Sequence, residues 1–78
     1  MKTIYVFDKN ISKEAFKAVM DKFPDEGPTP MHIDEVLHGM LAEGKIHIWI
    51  DPEDKEDPIH MGFEIPQAET IKVISNPV

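Results

Sequence analysis

Two short segments of alternating hydrophobicity constrain the fold of this chain more than any other feature. Residues 45–51 (KIHIWID) place three isoleucines on one side, and residues 59–65 (IHMGFEI) repeat the pattern. A period of two is typical of β-strands with one buried face. The charged residues 52–57 (PEDKED) between them indicate a turn. Together these segments predict an antiparallel β-hairpin.

One register of this hairpin suits both faces, and a slip by one residue would exchange the faces. With Asp51 opposite Pro58, the inward pairs are Ile50 with Ile59, Ile48 with Met61, and Ile46 with Phe63. The outward pairs are then Trp49 with His60 and His47 with Gly62. After a turn at residues 66–69, a strand at residues 70–74 is expected to extend the hairpin into a meander, with Ile71 opposite Ile65 and Val73 opposite Phe63.

The first half of the chain predicts one strand and two helices. Residues 3–7 (TIYVF) are β-branched and aromatic, and Ser12 is the N-cap of an amphipathic helix that Pro24 ends. Residues 24–30 (PDEGPTP) indicate a loop, and Thr29 within it caps a second helix that stops at Gly44. Each helix has an apolar stripe that we assign to the core. The stripes are Ala15, Phe16, Val19, Met20 and Phe23, then Ile33, Val36, Leu37, Met40 and Leu41.

The predicted fold is a single α+β domain that spans residues 1–78. Its element order is β-α-α-β-β-β, with a four-stranded antiparallel sheet and two helices packed on the isoleucine-rich face. The chain contains no cysteine, so it has neither a disulfide nor a thiolate zinc site. We therefore expect packing alone to stabilise the domain.

Charge and hydropathy narrow the possible functions. The chain has 15 acidic and 8 basic residues and a net charge of −7. This charge opposes direct binding to a nucleic-acid backbone and leaves nucleic-acid mimicry as the alternative. The N-terminal apolar run is too short for a signal peptide, and no segment approaches the length of a membrane span. We expect a cytoplasmic protein without membrane contact.

The sheet face turned away from the helices is the first candidate interaction surface. The alternation assigns to this face Trp49, His47, His60 and Ile74, a set too apolar to remain solvated. We expect a protein partner or a second copy of the chain, as in a homodimer, to cover it, and histidine protonation to weaken the contact. The alternative is that Trp49 only shields the back of the sheet. The acidic turn is the second candidate surface, with Asp51, Glu53, Asp54, Glu56 and Asp57.

Patterns for catalysis or metal binding are weaker. His47, His60 and Glu64 have the residue types of a two-histidine, one-carboxylate metal site, but the predicted register places the two imidazoles diagonally. Half-exposed strand histidines are the plainer interpretation. The acidic turn lacks the glycine and the ligand spacing of an EF-hand loop, and the four glycines of the chain are scattered. We therefore assign no catalytic residue, no metal ligand and no cofactor.

The order of elements resembles the N-terminal half of acetyltransferases of the GNAT superfamily. The resemblance covers a helix ending in Gly44, the strand IHIWID, a charged turn and the strand HMGFEI. This part of the chain is also similar to short GNAT-like proteins of bacteriophages. In that family a glycine-rich turn and helix after the fourth strand hold acetyl-coenzyme A. This chain reaches Val78 without such a segment. The resemblance therefore implies a half-domain without transferase activity.

The sequence favours a non-enzymatic, protein-binding domain. The resemblance to phage proteins implies an inhibitor or modulator of a host protein, acting in the host cytoplasm. Two alternatives stay open. One is a GNAT-like acyltransferase fragment, or an enzyme domain completed by a partner chain, and the other is a metal-binding module built on His47 and His60.

Overall fold

The computed structural model describes residues 2–23 and 30–77, without the side chains of residues 30–34. The elements are β1 (Thr3–Phe7), α1 (Lys13–Met20), α2 (Pro30–Ala42), β2 (His47–Ile50), β3 (Ile59–Gly62) and β4 (Thr70–Ile74). The α+β class and the order of elements along the chain are confirmed. The predicted Thr29 cap and the loop before it lie outside the described residues.

Local chemistry sets the start of α1 and the end of α2. The hydroxyl of Ser12 accepts a hydrogen bond of 3.1 Å from the backbone N–H of Ala15, which caps α1 as predicted. After α2, Gly44 has a φ of +75°. The N–H of Lys45 donates to the C=O of Met40 at 3.0 Å, which is the hydrogen bond of a Schellman motif. The helix boundary at this glycine is therefore confirmed.

The core lies between the two helices and one face of the sheet. Its fully buried members include Phe16, Leu41 and Ile48. The complete cluster contains Phe7, Ile11, Phe16, Met20, Leu37, Leu41, Ile46, Ile48 and Ile50. Packing of both helices on the isoleucine-rich face of β2 is confirmed. Val36 was assigned to the buried stripe of the second helix, but 54% of its surface is exposed.

The sheet is mixed, and the prediction of a fully antiparallel sheet is corrected. The strand order is β3-β2-β1-β4, with β1 antiparallel to β2 and parallel to β4. The β2–β3 hairpin has the predicted register, with Ile50 opposite Ile59 and Trp49 opposite His60. The predicted meander of β2, β3 and β4 is wrong, because β4 lies beside β1 at the other edge of the sheet.

Strand β1 is buried on both faces, which explains why it is central. Phe7 belongs to the core cluster on the helix side. Ile4 and Val6 alternate to the other face, where 0% and 7% of their surfaces are exposed. The backbone groups of such a strand cannot reach water, so they need partners on both sides. β2 supplies one partner strand and β4 the other.

Residues 63–69, which we call the crossover, carry the chain from β3 to β4. Both strands run parallel to β1, so the connection must return along the sheet while it moves sideways past β2 and β1. The diagonal is about 20 Å, which so short a segment spans only when it is nearly extended. The helices occupy one face, so we infer that the crossover passes over the other. Such a path is consistent with the full burial of Ile4, which lies outside the helix-side core.

Three apolar residues in β3 and the crossover were predicted to be buried, and this prediction is wrong. The exposed fractions of Met61, Phe63 and Ile65 are 52%, 84% and 37%. β3 is an edge strand, and the chain leaves the sheet after Gly62, so neither helix reaches these side chains. The predicted pair of Phe63 with Ile46 is absent from the β2–β3 ladder.

Two glycine substitutions test the helix assignment. Gly44→Ala should lower the free energy of unfolding by about 1 kcal/mol, because its positive φ strains any residue with a Cβ. Gly39→Ala introduces the same methyl group inside α2, where nothing lies within 4 Å of it, and should raise that free energy by up to about 1 kcal/mol. Urea unfolding of both variants measures the two effects. Changes of the same sign would contradict the assigned end of α2.

Candidate functional site

Trp49 and His60 form a stacked pair on the sheet face away from the helices. Their ring centroids lie 6.1 Å apart and the ring planes differ by 13°. Trp49 also lies across Gly62, where an added Cβ would sit 3.2 Å from Cη2 of the indole. Both aromatic side chains are partly buried. The face that the sequence analysis left open is therefore partly covered by the chain itself.

The imidazole of His60 lies between Trp49 and the acidic turn. Its Nε2 is 3.2 Å from Oδ2 of Asp54. The alignment of the two groups does not make a hydrogen bond, so their attraction depends on the charge of the imidazole. The other carboxylate oxygen of Asp54 accepts the backbone N–H of Asp57 at 3.1 Å. Asp54 therefore has a structural role that the plain acidic run did not indicate.

Asp51 is the buried carboxylate at the base of the turn, with 8% of its surface exposed. Its Oδ2 lies 3.0 Å from Nζ of Lys2, and its Oδ1 accepts the N–H of Glu53 at 3.1 Å. The hydrogen bond from Lys2 is the main cause that lowers the pKa of Asp51 below 3.8. Desolvation opposes this shift, while the N–H of Glu53 and the charges of Lys2 and His60 reinforce it.

The remaining predicted site residues do not form one cluster. His47 is exposed and lies opposite Gly62. Ile74 was placed beside Trp49, and this placement is corrected: it pairs with Phe7 and packs against the helix-side core. The parallel pairing of β4 with β1 causes the difference. The exposed acidic residues of the turn are Glu53, Glu56 and Asp57. No group of three or more potential metal ligands occurs in residues 2–23 and 35–77.

The backbone of β4 presents a second, unpredicted site at the edge of the sheet. The N–H of Thr70 donates to the C=O of Lys2 at 3.2 Å, and the C=O of Ile74 accepts the N–H of Asp8 at 2.9 Å. Both ends of β4 therefore point their hydrogen-bonding groups at β1. The N–H and C=O groups of successive residues point to opposite sides of a strand, so those of Lys72 also point at β1.

The same alternation turns the N–H and C=O groups of Ile71 and Val73 away from β1. Among the described strands, none lies on this outer side of β4. The side chains of the two residues are 49% and 65% exposed. They share the sheet face of Ile4 and Val6, their partners on β1. The outer edge of β4 thus combines unpaired backbone groups with two exposed apolar side chains.

The tail that follows β4 is fastened to the start of α1. The N–H of Ser12 donates to Oδ1 of Asn76 at 2.6 Å, and Nδ2 of Asn76 donates to the C=O of Asn10 at 3.3 Å. At the other end of the strand, the N–H of Glu69 donates to the C=O of Lys2 at 3.1 Å. The edge is therefore held in an extended conformation at both ends.

The sequence contains one signal for this site. Residues 3–7 (TIYVF) are apolar without alternation, a pattern typical of a central strand buried on both faces. A central β1 needs a strand on each side. After the β2–β3 hairpin is formed, residues 70–74 are the remaining strand for that position.

Comparison with protein-family models, with curated proteins and with solved structures finds no match to this chain. Neither helix, over the residues that the structure describes, has the length and hydrophobicity needed to cross a membrane.

The ion pair between Asp51 and Lys2 predicts a specific dependence of stability on pH. A carboxylate whose pKa is lowered by folding stabilises the folded state above its unfolded pKa, near 3.8, and loses this contribution as the pH falls through the folded value. Asp51→Asn should therefore be less stable than wild type at neutral pH, and the difference should shrink in acid. Urea unfolding at several pH values measures it.

Glu56→Gln is the matched control, because it removes one exposed carboxylate from the same turn. It should leave the stability near that of wild type across this range. A gap between wild type and Asp51→Asn that stays constant into strong acid would contradict the assigned role of the carboxylate.

Proposed function

We propose that this chain is a protein-binding domain that adds an extended segment of a partner protein to the outer edge of β4. The supporting observation is that no described strand pairs with the outward N–H and C=O groups of Ile71 and Val73, whose side chains are exposed. A sheet edge of this kind is a template for strand addition. Main-chain hydrogen bonds then contribute affinity, and the alternating side chains contribute specificity.

The held conformation of β4 favours this function. Hydrogen bonds to the backbone of Lys2 fix the start of the strand, and Asn76 fixes the segment after its end. A partner would therefore meet an edge that is already extended. The entropy of ordering on binding falls mainly on the partner, which improves the net affinity.

The other edge strand, β3, is less suited to accept a partner. The acidic turn precedes it, and charged flanks oppose the addition of a strand. After Gly62 the chain turns into the crossover, which ends the straight part of this edge. β4 carries no charged side chain except Lys72 between its first and last residues.

The Trp49–His60 stack and the acidic turn are the other candidate surfaces for the same function. Trp49 is partly buried against Gly62, so its available area is smaller than the sequence suggested. An inhibitor or modulator of a host protein could use any of these surfaces. No contact among the described residues specifically favours an acyltransferase fragment or a metal-binding module.

Two proline substitutions separate binding from folding. Val73→Pro removes an N–H that points away from β1, so the ladder is kept and only the outer edge is blocked. We expect a folded protein whose affinity for strand-forming peptides is about tenfold lower, because one main-chain hydrogen bond is lost and the ring obstructs the incoming strand. The peptides, of about seven residues, are selected from a random display library against wild type. Fluorescence anisotropy measures their binding.

Lys72→Pro is the matched control, because its N–H points toward β1 and its loss breaks the ladder. This variant should show a clearly lower melting temperature by circular dichroism, whereas Val73→Pro should melt near wild type. A folded Val73→Pro protein that binds the selected peptides with unchanged affinity would refute the edge as the site. If Trp49→Ala abolishes binding while Val73→Pro does not, the site is the Trp49–His60 stack.

A further inference from the structure

Lys72 is the central residue of β4 and its side chain lies on the helix side of the sheet. Its Nζ is 6.0 Å from the centroid of the Tyr5 ring, a distance at which a cation and an aromatic face attract each other weakly. None of the ion pairs between described residues includes it. Its neighbours on this side of β4 and β1 are uncharged: Thr70, Ile74, Thr3, Tyr5 and Phe7. A cation is thus positioned beside the free edge without a carboxylate on either strand.

A strand added to β4 would meet its side chains in a fixed alternation. Two partner residues lie opposite Ile71 and Val73 on one face, and the residue between them lies opposite Lys72 on the other. Apolar pairs and opposite charges at facing positions stabilise a sheet, whereas like charges destabilise it. From this geometry we infer that β4 selects partner segments with the pattern apolar–acidic–apolar, in which the acidic side chain pairs with Lys72. This specificity rests on the strand addition proposed above.

The same lysine disfavours a second copy of the chain as the occupant. In an antiparallel pair of β4 strands, Ile71 of each copy can lie opposite Val73 of the other. The two-fold axis then passes between the two copies of Lys72. The two lysine side chains then face each other directly, and this repulsion opposes the pairing. Lysine on an edge strand is a known device against edge-to-edge association. The partner segment at this edge therefore belongs to a different protein.

The net charge of −7 repels an acidic segment at long range. Five of the fifteen acidic residues, however, lie in the turn between β2 and β3, and both β2 and β1 separate that turn from β4. Two or three strand spacings are about 10–14 Å, which exceeds the screening length of about 8 Å at physiological salt. Glu69 lies just before β4 and outside the paired residues. Within β4 itself, Lys72 is the one charged side chain that an added strand meets.

Three synthetic peptides test the inference. Each has the core Thr-Val-X-Val-Thr, with Glu, Gln or Lys at X, and is titrated into ¹⁵N-labelled protein at about 0.15 M salt, where surface charges are screened as in the cell. The amide signals of Ile71 and Val73 should shift most with every peptide that binds. The Glu peptide should bind about three- to tenfold more tightly than the Lys peptide, with the Gln peptide between them.

Charge reversal at the edge supplies the decisive comparison. Lys72→Glu should reverse the order of the Glu and Lys peptides, and Lys72→Gln should remove the difference between them. Lys55→Glu makes the same change of net charge in the exposed acidic turn and should leave the wild-type order unchanged. If Lys55→Glu also reverses the order of the Glu and Lys peptides, the net charge and not Lys72 controls the preference. That result would overturn the inference.

The outcomes separate the two proposals. Equal affinities of the three peptides, with shifts at Ile71 and Val73, would overturn the specificity and leave strand addition intact. If no peptide shifts these two amides, both proposals fail. Analytical ultracentrifugation of the free protein checks the choice of occupant. A wild-type dimer that Val73→Pro dissociates would show that a second copy occupies the edge, which also overturns the inference.

Discussion

The burial of β1 on both faces is the constraint on which the rest of this structure depends. A strand without solvent on either side must pair all of its backbone groups with neighbouring strands. The β2–β3 hairpin supplies one neighbour, so β4 has to supply the other. The crossover carries the chain to that position, and Ile4 is fully buried on the second face. The strand order and the mixed sheet both follow from this one requirement.

The same constraint creates the candidate binding edge. β4 satisfies the backbone of β1 on its inner side, and the chain has no further described strand to satisfy β4 on its outer side. The exposed Ile71 and Val73 lie on this unprotected strand. The proposed function thus uses a site that the packing of β1 leaves unsatisfied.

The charges of the protein are divided between structure and surface. Asp51 is paired with Lys2 at the base of the hairpin turn, and Asp54 lies against His60. These contacts tie the acidic turn to the sheet, at the end where β1 begins. Lys72 lies on the edge strand, with its Nζ 6.0 Å from the centroid of the Tyr5 ring, and none of the ion pairs between described residues includes it. The net charge alone does not indicate this local cation, which is the one charged side chain within β4.

Local patterns in the sequence determined the elements of this fold. The Ser12 cap, the helix end at Gly44 and the register of the β2–β3 hairpin depend on neighbouring residues, so the sequence was sufficient to predict them. The stacking partner of Trp49 followed from that register. The position of β4 was decided only by the tertiary structure. Its alternation fits beside β3 as well as beside β1, and the choice depends on covering a strand more than sixty residues away. For this reason the free edge, and Ile71 and Val73 on it, could not be identified from local pattern alone.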